Sequence, residues 1–168
     1  MPTRKAFSLV ELLIVVVILG ILAAIVLPRF SNASAVARAS MLADNLRVIR
    51  MQLAVYKGQH GGVAPGYPGG NPNGTPTEAL FLAQMTQASK PSGQTAAPGT
   101  PGYDYGPYLR EMPADPINGK TTVQVIANDG TFPDAGDDSD GWVYQPSTLV
   151  FNADCSGADD KAKSYFEY

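Results

Sequence analysis

The chain has one cysteine, one histidine and one tryptophan among its 168 residues. A lone Cys155 excludes an internal disulfide and any paired Cys/His metal centre. The lone His60 lies in a glycine-rich stretch with no nucleophile to activate, so no His-based catalytic arrangement is available. No phosphate-binding glycine loop is present. Charge is sparse, 16% of residues, and the net charge is only −3. These absences argue against an enzyme and leave a structural or binding protein.

What the chain does have is a concentrated apolar run near its start. Met1 to Lys5 is short, polar and basic. Ala6 and Phe7 follow, then Ser8-Leu9-Val10-Glu11, then an unbroken apolar stretch from Leu12 to Leu27, ended by Pro28. As a helix, 7–27 would be about 30 Å long, the thickness of a bilayer core. Arg4 and Lys5 before it favour a cytoplasmic N-terminus and an exported C-terminal part. Three readings compete: a plain single-pass anchor, a secretory signal cut near Ala33-Ser34-Ala35, and a processed membrane subunit. The run is longer than a usual signal-peptide core, and a signal peptide has no need of Glu11.

A carboxylate at bilayer depth costs roughly 2–3 kcal/mol, so Glu11 calls for a partner or a function. Cleavage between Ala6 and Phe7 would create an α-amine one helical turn before it. That amine could meet Glu11 in the same chain or in a neighbour. The second pairing would act as a register signal, because an unpaired buried charge penalises wrong stacking. The simpler reading is that Glu11 snorkels to the interface near the helix start.

The segment Lys5-Ala6-Phe7-Ser8-Leu9-Val10-Glu11 resembles the class III leader of type IV pilins and type II secretion pseudopilins. The resemblance implies a dedicated prepilin peptidase that cuts before Phe7 and methylates the new amine. It also implies that Glu11 directs assembly, and that Gly20 and Pro28 weaken the helix. Ala6 stands where the family prefers glycine.

Beyond Pro28 an apolar stripe recurs at Phe30, Ala37, Leu42, Leu46, Ile49, Leu53 and Tyr56, predicting a helix that continues to Lys57 and stops at Gly58. The stripe needs a domain to cover it. Residues 58–75 and 89–106, rich in Gly and Pro, read as loops, the second as a mobile, variable surface feature. Between them Thr75-Pro76-Thr77-Glu78 reads as a capped helix start, with Thr75 as the cap, for a short helix to about Ala88. Three strands are predicted over 122–127, 141–145 and 149–153, the last two as a hairpin in a short antiparallel sheet. The tail from Cys155 is left unassigned. Gly106-Pro107-Tyr108-Leu109 followed by Pro113, Asp115 and Pro116 is similar to a segment of major pseudopilins, with Ile117 where a tryptophan often stands.

Asp134-Ala135-Gly136-Asp137-Asp138-Ser139-Asp140-Gly141 places four carboxylates in seven residues. Oxygen ligands of this kind suit a hard cation, although the EF-hand spacing is missing. The family resemblance implies calcium in such a loop, with Asp134, Asp137, Asp138 and Asp140 as ligands. The other reading is a solvated acidic turn, and no cofactor is required. Charge is segregated: 28–60 holds five Lys/Arg and one Asp, and 101–168 holds four Lys/Arg and twelve Asp/Glu. The acidic C-terminal part argues against nucleic-acid binding.

The expected architecture is α+β and pilin-like. Residues 1–6 form a leader, 7–27 a membrane or filament-core helix, 28–58 its amphipathic continuation, and 59–168 a periplasmic head packed on 28–58. The implied function is a type II secretion pseudopilus subunit, held in the inner membrane and then built into a periplasmic filament. Its implied partners are prepilin peptidase, the lipid bilayer, other copies of itself, minor pseudopilins and an inner-membrane assembly platform. A type IV pilin for adhesion, motility or DNA uptake is the alternative within the class. A membrane-anchored or secreted ligand-binding domain is the alternative outside it.

Overall fold

A computed structural model describes the backbone of residues 9–168 and all their side chains except those of residues 25–33. Helix α1 runs over Leu9–Gln59. The chain divides into two compact units, the second starting at Arg38.

Within the first unit, the side chains of residues 9–24 are exposed on every side of the helix. No two faces differ in polarity, so nothing in the chain itself defines an inward face. Among the described residues no helix is long and apolar enough to cross a membrane. The run expected to do so, 7–27, extends at both ends past the described side chains.

The second unit carries the core. Leu42, Leu46, Ile49, Leu53 and Tyr56 of α1 are each at most 1% exposed. Their alternating four- and three-residue spacing keeps them on one face. They pack with Phe81, Met85, Trp142, Tyr144 and Phe151 in a single cluster. Fully burying side chains of this size contributes about 1.5–3 kcal/mol each, so this face fixes the helix to the head. Two details of the predicted stripe differ. Ala37 is exposed and Ala39 is the buried alanine. The helix also passes Gly58 and ends at Gln59.

Helix α2 spans Glu78–Thr86. Its cap is Thr77, not Thr75: the Thr77 side chain accepts from the Leu80 N–H. With Thr77 as the cap, Glu78 is the first helical residue and stands too early to close a capping box; its carboxylate accepts from the Val123 N–H at 2.8 Å. Residues 89–106, expected to form a mobile loop, contain paired backbone. Strands β1 (Ala88–Ser89) and β2 (Thr95–Ala96) are antiparallel, and Ser89 exchanges two further hydrogen bonds with Tyr105.

Strands β3 (Val123–Val125), β4 (Trp142–Gln145) and β5 (Val150–Ala153) form a three-stranded sheet in that order. The predicted hairpin is present: β4 and β5 are antiparallel, with Trp142 opposite Ala153 and Tyr144 opposite Phe151. The sheet as a whole is mixed, because β3 pairs parallel to β4. A parallel pair needs a crossover of a dozen or more residues, and residues 126–141 supply one. That crossover contains the acidic loop.

The tail left open by the sequence folds back on the core. Tyr165–Glu167 is a short 3-10 turn that buries Phe166. Arg50 of α1 fastens this end. It donates from Nε to the Phe151 carbonyl (2.9 Å), from Nη1 to the Tyr168 carbonyl (2.9 Å) and from Nη2 to Asn152 Oδ1 (3.0 Å).

Candidate functional site

Three places in the chain carry candidate residues, and the structure treats each differently. The first is the N-terminal segment. The cleavage residues Ala6 and Phe7 lie outside the described residues. Glu11 is exposed on α1 among exposed Leu9, Val10, Leu12 and Leu13. Gly20 is also on α1, with open space where a Cβ would stand. The helix carries on through Gly20 and Pro28, and the Pro28 side chain lies outside the described set.

The second place is the acidic crossover. Its organiser is a residue that the sequence reading passed over. Asp154 follows β5 and is buried. Its Oδ1 accepts from the Asp137 N–H (3.0 Å), and its Oδ2 accepts from Ser139 Oγ (3.0 Å) and the Asp140 N–H (2.8 Å). One buried carboxylate thus meets three donors of the loop, which is how a buried charge becomes tolerable. Asn118 Nδ2 adds bonds to the Asp140 and Asp154 carbonyls.

The four predicted ligands are not gathered around one point. Asp137 accepts from the Ser139 N–H (2.9 Å). Hydrogen bonding from Ser139 holds the Asp137 carboxyl below its ordinary value. Asp138 accepts from the Ser156 N–H and hydroxyl. Asp134 and Asp140 bring no carboxylate into a shared set, and among the described residues no group of three or more His, Cys, Asp or Glu is arranged to hold a metal ion. A cation is nevertheless present, and it belongs to the chain. Lys120 Nζ donates to the carbonyls of Asp138 (2.6 Å) and Ser139 (2.9 Å). An ammonium supplies at these oxygens the positive charge that a calcium ion would bring.

The two glycines of the loop have a steric role. A Cβ on Gly136 would come within 2.5 Å of the Cys155 backbone, and one on Gly141 would overlap the Lys120 carbonyl. The backbone passes too close for any side chain. Beneath the loop, Cys155 is buried and its thiol donates to Asp115 Oδ2 (3.1 Å). Burial pushes the Asp115 carboxyl up, and burial with the bond to Asp115 pushes the Cys155 thiol far above its ordinary value. A thiol so held is neither a nucleophile nor a metal ligand at neutral pH.

The third place is His60. It lies in the turn that follows α1, as expected, but it is buried. Its ring stacks on Tyr56, centroids 3.7 Å apart and planes 4° from parallel. Nδ1 lies 2.8 Å from the Tyr56 carbonyl and Nε2 lies 3.0 Å from Ser89 Oγ. Burial lowers its pKa more than the backbone hydrogen bonds raise it, so the imidazole is neutral at pH 7. It is a packed core residue with both nitrogens satisfied. The Gly-Pro-Tyr-Leu segment is likewise structural: the N–H groups of Tyr108 and Leu109 both donate to the Met85 carbonyl, and Trp142 Nε1 donates to the Pro113 carbonyl (3.0 Å).

Comparison with known proteins bears on the N-terminal segment first. Residues 1–27 match the model of the prokaryotic N-terminal methylation motif. Over 154 residues the chain is 27% identical to the type II secretion system core protein G of Klebsiella pneumoniae, a match covering 85% of this chain and 97% of that protein. No solved structure matches. The chain therefore carries the N-terminal methylation motif and, over most of its length, is related to a type II secretion system core protein G.

Proposed function

We propose that this protein is a structural subunit of a type II secretion pseudopilus. The observation that carries the reading is the methylation motif at residues 1–27 joined to a similarity that spans 97% of a type II secretion core protein G. A methylation motif alone would fit any prepilin-like chain. The added likeness of the head favours secretion over motility.

In this reading the helix over 7–27 holds the subunit in the inner membrane, with the head in the periplasm. Prepilin peptidase cuts between Ala6 and Phe7 and methylates the Phe7 amine. Glu11 then meets the amine of a neighbouring copy. Extraction from lipid into a filament exchanges one apolar surrounding for another, so the exposed Leu, Val and Ile side chains lose little. The pairing of Glu11 with that amine favours one register, since a misaligned neighbour forfeits it. Gly20 and Pro28 lower the cost of deforming the helix on the way. The head acts as a periplasmic spacer with no chemistry of its own.

The test is the intact mass and N-terminal sequence of the protein from native membranes. A start at N-methylated Phe7 is expected. A start at Val36 would make it a secreted domain and remove the role of Glu11. An uncut Met1 would make it a plain anchor.

A further inference from the structure

Two of the chain's seven asparagines precede a glycine, Asn73-Gly74 and Asn118-Gly119. In this dipeptide the backbone N–H after the asparagine can attack the side chain most freely, because the glycine has no Cβ to crowd the approach. The same chemistry is thus offered at two places, and the fold separates them. Asn118 is bound through both ends of its carboxamide. Its Nδ2 donates to the carbonyls of Asp140 (2.8 Å) and Asp154 (3.3 Å), and its Oδ1 accepts from the Lys120 N–H (2.9 Å). Asn73 is exposed, and its carboxamide makes no hydrogen bond among the described residues. The attacking nitrogens are alike: the Gly74 N–H donates to the Asn71 carbonyl (3.0 Å) and the Gly119 N–H to the Asp115 carbonyl (2.8 Å). The difference lies in the asparagine side chains alone.

We propose that Asn73 is a site of spontaneous deamidation, with water as the co-reactant, and that the fold protects Asn118 from the same reaction. The Gly74 nitrogen loses its proton to hydroxide and attacks Asn73 Cγ. The new C–N bond closes a five-membered succinimide; the bond from Cγ to Nδ2 breaks, and the nitrogen leaves as ammonia after taking a proton from water, which returns the hydroxide. A second water opens the ring at either carbonyl. One opening gives aspartate. The other gives isoaspartate, whose main chain runs through Cβ and is one carbon longer. Nothing is oxidised or reduced, and both products put a carboxylate where a neutral amide stood. The surroundings give that change a consequence. Asn73, Asn128 and Asp129 line one cleft of about 250 Å³, so the new carboxylate shares it with an acid already there, which is repulsive. Pro72, next in the chain, accepts from Asn128 Nδ2 (2.8 Å) and so ties this loop to the crossover. A Cβ on Gly74 would come within 2.8 Å of the Pro68 ring, so an extra main-chain carbon has no room on that side and strains the tie to Asn128. The proposal holds whether or not the chain is a filament subunit.

The experiment incubates the full chain, folded in detergent, in mildly alkaline buffer and follows both asparagines by peptide mapping and mass spectrometry. Each event adds one mass unit at a known residue. Three hydrogen bonds must be given up before Asn118 can react, so its rate should be about a hundredfold below that of Asn73. The same chain held in denaturant should lose both asparagines at similar rates, because the fold no longer distinguishes them. Isoelectric focusing of the folded protein should show an acidic form growing with time, absent in Asn73→Gln, whose longer side chain cannot close the five-membered ring. Equal rates at 73 and 118 in the folded chain would overturn the proposal. So would an Asn73 that stays intact in the folded chain while the denatured chain loses it, or an acidic form that persists in N73Q.

Discussion

The same residue types meet opposite fates in the two units. Leu12, Leu13, Ile14, Leu19 and Ile21 are each more than half exposed, while Leu42, Leu46, Ile49 and Leu53 are sealed from solvent. The second set is covered by the chain's own aromatic residues; the first is covered by nothing the described chain supplies. Stability in the head is therefore intramolecular. In the proposed reading the N-terminal segment takes its apolar surroundings from lipid or from other copies. A mutation in one unit should leave the other's property intact, and that separation can be tested.

The largest effect is expected from Glu11→Ala. Incorporation into filaments should be lost, measured in sheared fractions, while the melting temperature of the detergent-solubilised chain stays unchanged. A drop in that melting temperature would break the separation. Trp142→Ala should do the reverse. It removes a fully buried side chain and its hydrogen bond to Pro113, at a cost of about 3–5 kcal/mol, and calorimetry should show the head melting far lower. Gly141→Ala forces a methyl group onto the Lys120 carbonyl and should cost about 1–3 kcal/mol by the same measurement. Lys120→Met removes two hydrogen bonds at the edge of the acidic loop and should cost only about 1 kcal/mol. A calcium chelator should leave the wild-type melting temperature where it is, and a fall on chelation would restore the acidic loop as a metal site.

The smallest effect sharpens the comparison through pH. Burial depresses the His60 pKa below its ordinary value of 6.5. The unfolded chain then binds the proton more readily than the folded one. The stability that His60 contributes is complete above pH 6.5 and falls as pH drops towards its folded pKa. Thermal melts at pH 7.5 and 5 should differ, and His60→Asn should narrow the difference. Filament incorporation should not follow this change in step, since His60 belongs to the head alone.

What the sequence made legible was local. The leader, the apolar run and the Leu42–Tyr56 stripe are contiguous patterns whose physics needs no distant partner. The hairpin of β4 and β5 was equally legible, because a short turn leaves only one way to pair. The misreadings share a cause. Thr75 and Thr77 are both acceptable caps by local sequence; the helix starts after Thr77, and the Glu78 carboxylate bonds to the distant Val123 N–H. The crossover is long enough to let β3 run parallel to β4, and alternation within a strand says nothing about its neighbour's direction. Asp154 was missed because four nearby carboxylates in one run were more conspicuous than one placed between Ala153 and Cys155. Its apolar neighbours were the available signal: an acid flanked by core residues is usually buried and bonded.

Asp154 has a consequence for how the head comes apart. Its carboxylate is the common fastening of Asp137, Ser139 and Asp140. Hydration of that carboxylate would release all three of these ties together and leave the loop to the bonds of Lys120, Asn118 and Ser156. Protease cutting within 134–141 should therefore report how firmly Asp154 is seated.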